Sequence, residues 1–269
     1  MNPRLTPLAA ALSIAFVAPA QAQTTDLDPV IVSATRFSEP DTNVAANVSV
    51  ITRDDIRNTP ARDLPSMLKG SAGVDVRALY GSLGIDSTVD IRGFGETAGS
   101  NTLILLDGQR MNPIDMGSVS WSAIPLDSVQ RIEIMRGAGT VLYGDKATGG
   151  VVNIITDKSG APRAGATVGI GSYDTQTVDL NGAFGNETVY ANAFARYAHT
   201  GGWRENSQAE QAALSGRGGL YIGKGEAFVD YAVYNDHSGL PGYLLSAAYQ
   251  NNPKTSTSPN DSQRSDGYR

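Results

Sequence analysis

The chain has 269 residues, a net charge of −6 and no cysteine. The acidic balance argues against a nucleic-acid partner, which requires a basic surface. Cysteine catalysis and cysteine-bound metals are excluded, and two histidines without metal-ligand spacing argue against a histidine site, so we expect no catalytic residue, no metal and no cofactor.

Residues 1–22 have the form of an export signal. A positive start precedes an apolar run over residues 5–17, and Ala20-Gln21-Ala22 supplies the small-x-small pattern that a signal peptidase reads. The run is shorter than the roughly 20 residues that a spanning helix needs. We therefore expect a mature chain that begins near Gln23, with a buried N-terminal helix as the alternative.

Residues 23–43 are predicted to be a linker. They are polar and flanked by prolines, around one β-branched triplet from Val30 to Val32. Extended residues of this kind are suited to capture as an added strand by the sheet edge of a partner. A first strand of the following domain is an equal alternative.

Residues 44–158 predict a compact α+β domain. A strand over "NVSVIT" precedes a helix opened by the capping box of Thr52 and Asp55. A second helix places Leu64, Met67 and Leu68 on one face. Further strands are predicted over "STVDIRGFG", "NTLILLDGQRMN", "SVQRIEIMRG" and "GGVVNIIT", with a hairpin turn at Asp107-Gly108.

The stretch "RGAGTVLYGDKATGG" is close to a phosphate-binding loop. Such a loop needs lysine directly after its last glycine, followed by serine or threonine. Here Asp145 takes that position, and a carboxylate would repel a phosphate. The stretch therefore does not predict a nucleotide site, and a glycine-rich corner is the alternative.

Residues 159–269 change to strict alternation of apolar and polar residues, in about five strands of roughly ten residues each. Tight turns at 185–186 and 223–225 alternate with a long connection over 199–211 and a long tail from Asp236. A soluble sandwich shows the same period. Strand length, alternating turn lengths and the export signal together favour a membrane barrel.

Together these regions resemble the N-terminal part of a TonB-dependent outer-membrane receptor. "DPVIVSAT" looks like the TonB box of that family, and "IRGFG", "LILLDGQRMN" and "IPLDSVQRIEIMRGAGTVLYGDKATGGVVNIIT" look like its plug. The resemblance implies an α+β plug domain followed by the first antiparallel strands of a transmembrane β-barrel, which is 22-stranded in the full-length family. We accordingly interpret the chain as an N-terminal fragment that ends within a loop.

The resemblance also implies functional residues. The TonB contacts would be Asp28, Pro29, Val30, Ile31, Val32, Ser33 and Ala34. The ligand contacts on the apical loops of the plug would be Tyr80, Met111, Asn112, Asp115, Met116 and Trp121. The structural residues of the plug would be Arg92, Gly93, Asp107, Gly108, Arg136, Gly137, Tyr143, Gly144, Gly149 and Gly150. Ionic links within the plug or to the barrel are implied for Arg92 and Arg136, with surface charges as the alternative.

The function implied is energy-coupled uptake of a scarce nutrient complex across the outer membrane of a Gram-negative bacterium. The expected partners are TonB, outer-membrane lipid and the ligand, with a ferric siderophore favoured and cobalamin as the alternative. A secreted β-rich binding protein without transport, or a non-functional fragment, is the alternative of another class.

Overall fold

The computed structural model describes residues 47–78, 83–114, 117–158, 161–223 and 225–269, together with the backbone of Val30–Ile31 and Glu39–Pro40. The predicted export signal lies outside these residues. So do the following predicted site residues: Asp28, Pro29, Val32, Ser33, Ala34, Tyr80, Asp115 and Met116. Within the described part of the chain, the helices are all too short or too polar to cross a bilayer.

The linker contains two short strands, β1 (Val30–Ile31) and β2 (Glu39–Pro40), which pair antiparallel with each other. The first two residues of the β-branched triplet are thus extended. Their partner lies within the linker and not in the sheet of the next domain.

Both predicted helices of the mixed domain are present. The helix α1 (Arg53–Asn58) begins with the predicted capping box, in which the side chains of Thr52 and Asp55 each bond the backbone N–H of the other. The helix α2 (Leu64–Lys69) buries its predicted apolar face, and the carboxylate of Asp63 caps its first turn.

Seven strands complete this domain. They are β3 (Asn47–Ile51), β4 (Val74–Ala78), β5 (Ser87–Ile91), β6 (Thr102–Leu106), β7 (Gln109–Arg110), β8 (Val129–Arg136) and β9 (Gly150–Thr156). Five form a sheet in the order β3-β8-β9-β6-β7, in which only β9 and β6 run parallel, while β4 and β5 form a separate hairpin. The turn at Asp107 and Gly108 has positive φ at both positions (51° and 81°), which the hairpin prediction requires.

Apolar cores cover both faces of the five-stranded sheet. Ile104 and Leu106 pack with α1, α2 and the segment around Trp121, whereas Leu103 and Leu105 pack in a second cluster. A strand buried on both faces needs an unbroken apolar run, which explains the sequence "LILL".

The glycine-rich stretch forms the predicted corner. After β8 the chain makes one turn of helix, α3 (Thr140–Tyr143), and returns into β9. Backbone bonds from Gly137 to Gly149 and from Gly139 to Ala147 close the corner. Short 3-10 helices over Gly95–Ser100, Trp121–Ala123 and Leu126–Ser128 connect the other strands.

The remaining strands form one antiparallel sheet in chain order. They are β10 (Arg163–Gly171), β11 (Thr175–Gly185), β12 (Val189–Thr200), β13 (Ala209–Ile222), β14 (Gly225–Gly239) and β15 (Ser262–Tyr268). The helix α4 (Ser246–Asn251) lies in the connection before β15. The fold-class prediction of an α+β domain followed by antiparallel barrel-type strands is confirmed.

The predicted count of about five strands was too low, because β15 lies where we expected only a loop. Its sequence, "SQRSDGY", has no apolar face, so hydrophobic alternation does not reveal it. It pairs instead with the polar C-terminal half of β14, where Asn235 faces Asp266 and His237 faces Arg264. The long connection is also shorter than predicted, since β12 and β13 leave only residues 201–208 between them.

One face of this sheet is apolar and open to the surroundings. Val168, Ile170 and Val229 are each more than 70 % exposed. The opposite face carries buried polar residues such as Gln211, Arg217 and Asp236. Apolar-out and polar-in alternation is the pattern of a barrel wall whose outer face meets lipid.

Candidate functional site

The direction of the strands defines two ends of the barrel-type sheet. The chain enters β10 at Arg163 and first turns after Gly171, so Gly171, Thr200, Gly239 and Ser262 lie at one end. We call this the distal end, because it is the end furthest from the point where the chain leaves the α+β domain.

A cleft of about 880 Å³ opens in the α+β domain between the β4–β5 hairpin, the 3-10 helix Gly95–Ser100 and the segment 117–121. Ser87 and Trp121 line it. Their chain neighbours Asp86 and Ser122 bond Gln263 and Asp236, which lie near the distal ends of β15 and β14. The cleft is therefore on the part of the domain that faces the distal end.

Two of the predicted ligand contacts form part of this cleft, but their polar atoms hold the backbone. The side-chain amide of Asn112 accepts from the N–H of Ile104 (2.7 Å) and donates to the carbonyl of Thr102 (3.0 Å). The indole N–H of Trp121 donates to the carbonyl of Ser87 (2.7 Å). Both residues are buried, so only part of each side chain can meet a ligand.

Met111 lies beside this site, where it is half-buried against the main core. Its sulfur accepts a long hydrogen bond of 3.5 Å from Arg269. The ligand contacts of all these side chains remain predictions.

The sequence did not point to the charged residues of the cleft. Arg77 lies between Asp75 (3.2 Å) and Glu96 (3.6 Å), and the ammonium group of Lys146 donates to the carbonyl of Pro113 (2.7 Å). The remaining polar lining consists of the side-chain amide of Asn112 and of hydroxyl groups, from Ser87, Thr88, Ser100, Thr102 and Ser118. Such a surface can hold a polar ligand through many weak hydrogen bonds. No local pattern reveals it, because its parts come from positions up to about seventy residues apart.

The two predicted structural arginines lie on the same side of the domain. The guanidinium group of Arg136 donates to the carbonyl of Ala72 (2.8 Å) and to the hydroxyl of Ser49 (2.6 Å). Arg92 has a positive φ of 74° and lies against Gly137, where an added Cβ would be 3.4 Å from its Nη2. Within the described residues neither arginine forms an ion pair, so their ionic links remain predictions.

The predicted structural glycines differ in what they do. Gly93 and Gly144 have positive φ, a conformation in which a side chain is strained. Gly149 and Gly150 have no such angle, but an added Cβ would lie 2.8 Å from the carbonyl oxygen of Ile91 and 2.5 Å from that of Met135, respectively. The last two glycines therefore allow close packing of the backbone. Tyr143 packs against the second core cluster.

Polar contacts join the α+β domain to the barrel-type strands. They are Asp86–Gln263, Asp107–Arg217, Ser120–Tyr234, Ser122–Asp236 and Asp127–Asn181. At the junction itself, Asp157 binds both Arg53 of α1 (3.5 Å) and Arg163 of β10 (2.6 Å). An interface joined by polar groups can be resolvated when the two parts separate, unlike a continuous apolar core.

Burial at this interface changes the ionisation of the Asp86 carboxyl group. Desolvation raises the pKa of Asp86 above its ordinary value, and the hydrogen bond from Gln263 only partly opposes this. At the exposed cap of α1 the direction is opposite, because hydrogen bonds from the side chain and backbone of Thr52 lower the pKa of Asp55. Among the described residues, no cluster of three or more acidic or histidine side chains could hold a metal ion.

Comparison with known proteins finds relatives of the α+β domain and solved structures with the same fold. Residues 40–151 match the family described as TonB-dependent Receptor Plug Domain. The vitamin B12 transporter BtuB of Vibrio cholerae is 39% identical over 155 residues, which are 57% of this chain and 24% of BtuB. The chain thus spans about a quarter of the length of the curated relatives it matches.

Two solved structures illustrate the fold. The ferric citrate transporter FecA, in its unliganded form, aligns with a TM-score of 0.68 and 24% identity over 83% of this chain and 36% of FecA. The ferripyoverdine receptor of the Pseudomonas aeruginosa outer membrane, bound to ferripyoverdine, aligns with a TM-score of 0.63 and 18% identity over 78% of this chain and 28% of the receptor.

Proposed function

We infer that this chain, which carries the plug domain of the TonB-dependent receptors, works in energy-coupled import of a scarce nutrient complex across the outer membrane of a Gram-negative bacterium. The observation that carries the proposal is the placement of the plug. It lies against the buried polar face of strands whose other face is exposed and apolar. A plug held inside a lipid-facing wall closes a pore, and a closed pore must be opened to transport.

The polar cleft on the distal side of the plug supports the first step of this mechanism. A ligand that arrives from outside meets Arg77, Glu96 and Lys146 there, together with the hydroxyl-rich lining. Binding requires no bond to be made or broken in the ligand. Residues 172–174, 201–208 and 240–261 connect the strands at the same end and would complete the site.

The linker would supply the energy-coupling step. Val30 and Ile31 are already extended, as strand addition to TonB requires. Pro29 has no backbone N–H, so pairing with TonB would rest on the residues that follow it. Pairing there gives TonB a point at which to pull on the chain that leads directly into the plug.

We propose a ferric siderophore as the substrate. Cobalamin is the second candidate, and the 39% identity with the vitamin B12 transporter BtuB favours it. The two are distinguished in a strain that lacks this gene, by its growth on a ferric siderophore under iron limitation and on cobalamin when cobalamin is essential. Restoration of one kind of growth by the gene identifies the substrate class.

The coupling step is tested with Val32→Pro in the TonB-contacting segment. Proline removes a donor from the strand that TonB would capture, so energy-dependent uptake should be lost while ligand binding at the cell surface stays near normal. Ala34→Ser, a small change in the same segment that keeps the backbone donor, is the control. Normal uptake by Val32→Pro would exclude strand capture and favour a binding protein without transport.

A further inference from the structure

Arg217 lies on β13 with its guanidinium group directed at the plug, and it is only 5% exposed. Its partner in the sheet is Asp230 of β14, which stands directly opposite. Two hydrogen bonds join them, from Nε to Oδ1 (2.5 Å) and from Nη2 to Oδ2 (2.9 Å). The ring of Phe228 covers the guanidinium group at 4.3 Å. The arginine is therefore fixed to the barrel wall whatever the plug does.

Asp107 is the plug residue that meets this arginine. Its Oδ2 accepts from Nη2 of Arg217 at 2.6 Å, and both side chains are buried. The same carboxylate also accepts from the backbone N–H and the hydroxyl of Thr156, at 3.0 and 2.6 Å. Thr156 is the last residue of β9, so Asp107 is as firmly attached to the plug as Arg217 is to the wall.

The charges of this triad permit separation without leaving an unpaired cation in the wall. Two carboxylates share one guanidinium group, and either carboxylate alone neutralises it. If the plug moves, Arg217 stays paired with Asp230, while Asp107 keeps both donors from Thr156. A buried charge that loses its only partner is strongly destabilising, and this arrangement avoids that cost for Arg217.

A cavity beside the triad gives the separating groups access to water. It has a volume of about 30 Å³, and its lining includes Asn192, Ser215 and Arg217. Nη1 of Arg217 has no hydrogen-bond partner among the described residues. A cavity of this size has room for one or two water molecules, and the polar side chains in its lining can hold water that replaces a broken hydrogen bond.

The contact also differs in kind from the others between plug and wall. Elsewhere in the described residues, the hydrogen bonds that lie away from the junction involve a hydroxyl, amide or thioether group and at most one charged group. The ion pairs of Asp157 and Lys158 lie at the junction, where plug and wall are one continuous chain. The Asp107–Arg217 contact is thus placed to govern how readily the plug leaves the wall.

We propose that Arg217 is a positioning residue that holds the plug closed through Asp107 and releases it while staying neutralised by Asp230. The proposal deepens the proposed import function and rests on it, since only a transporter needs the plug to move. The proposal predicts that loss of either aspartate changes plug opening in opposite directions. We call the Asp107–Arg217 contact the latch. Loss of Asp107 removes the latch, whereas loss of Asp230 makes Asp107 the only counter-ion, so that opening would leave a buried cation unpaired.

Thiol labelling of Ser215→Cys measures plug opening directly. Ser215 is buried and lines the cavity next to Arg217, and the chain has no other cysteine. The rate of maleimide labelling is followed on the protein in outer-membrane fragments, without TonB and without ligand. Assembly of each variant is checked from the heat-modifiable mobility of the barrel.

With Asp107→Asn the labelling rate should rise about tenfold, the order expected for one hydrogen bond between charged groups. With Asp230→Asn it should fall below that of the parent. Asp145→Asn is the matched control, because Asp145 also pairs with an arginine (Arg110, 2.8 Å) but entirely within the plug. Its rate should equal that of the parent.

Faster labelling in both Asp107→Asn and Asp230→Asn would overturn the proposal, because it would show that the triad only stabilises the interface. An equal rise in Asp145→Asn would overturn it as well. If Asp230→Asn does not assemble, Arg217→Lys replaces it, because lysine keeps the positive charge but loses the paired hydrogen bonds. A raised labelling rate in Arg217→Lys then supports the latch, and a labelling rate equal to that of the parent refutes it. If Asp107→Asn and Asp230→Asn change the labelling rate in opposite directions but TonB-dependent uptake is absent, the proposed role of the latch is supported and only the import function is refuted.

Discussion

The substitution Gly150→Ala tests whether the glycine-rich corner is there for packing. Gly150 opens β9, and a Cβ at this position would lie 2.5 Å from the carbonyl oxygen of Met135 and 2.8 Å from Cδ1 of Ile91. The first neighbour is backbone of the adjacent strand, so it cannot rotate away. Overpacking of this kind costs about 1–3 kcal/mol, and we expect the upper end of that range because a strand must shift.

The measurement is equilibrium urea unfolding of the full chain, followed by the fluorescence of Trp121 in the plug core. Trp203→Phe removes the only other tryptophan. Gly99→Ala is the control, since an added Cβ there meets nothing within 4 Å and its φ is ordinary. Equal free energies of unfolding for Gly150→Ala and Gly99→Ala would refute the packing role of this glycine.

Three further predictions concern the cap, the interface and the lipid face. Thr52→Ala should lower the free energy of unfolding by about 1 kcal/mol at pH 7. Because Thr52 lowers the pKa of Asp55, the parent loses this contribution as the pH falls below 3.8. The free energy of unfolding of the variant should therefore fall less than that of the parent below this pH, in the same unfolding assay. Asp86 has a raised pKa, so its ionised form weakens the folded state and the unfolding midpoint should rise as the pH falls from neutrality towards 3.8; Asp86→Asn should make this rise smaller, and an unchanged pH profile would contradict it. Val229→Lys on the exposed apolar face should destabilise the protein in lipid vesicles by roughly 2–4 kcal/mol if it lies near the bilayer midplane, whereas a cost near zero would contradict contact with lipid.

The plug was largely predictable because its elements carry local signals. The capping box of Thr52 and Asp55, the Asp107-Gly108 turn and the two-sided apolar run of β6 each need only a few neighbouring residues. The strand β15 carries no such signal. It forms because β14 offers an open edge of unpaired backbone groups, and its own side chains are polar on both faces.

The candidate site was less predictable, because the type of a residue does not show whether its polar atoms already form hydrogen bonds within the fold. Asn112 and Trp121 were predicted as ligand contacts because the resemblance places them on the apical loops of the plug. Each uses its polar atoms to hold the backbone. Arg77 and Lys146 line the cleft, but only the folded chain brings them together. The pairing of Arg217 with Asp107 spans 110 residues, and no sequence pattern could reveal it.

The most direct test of the central claim is ligand uptake in a strain that lacks this gene. Accumulation of a radiolabelled ferric siderophore and of radiolabelled cobalamin is compared with and without the restored gene, in cells that have TonB and in cells that lack it. The account predicts that one of the two ligands accumulates only when both the gene and TonB are present. Accumulation that does not depend on TonB, or no effect of the gene on either ligand, would contradict it.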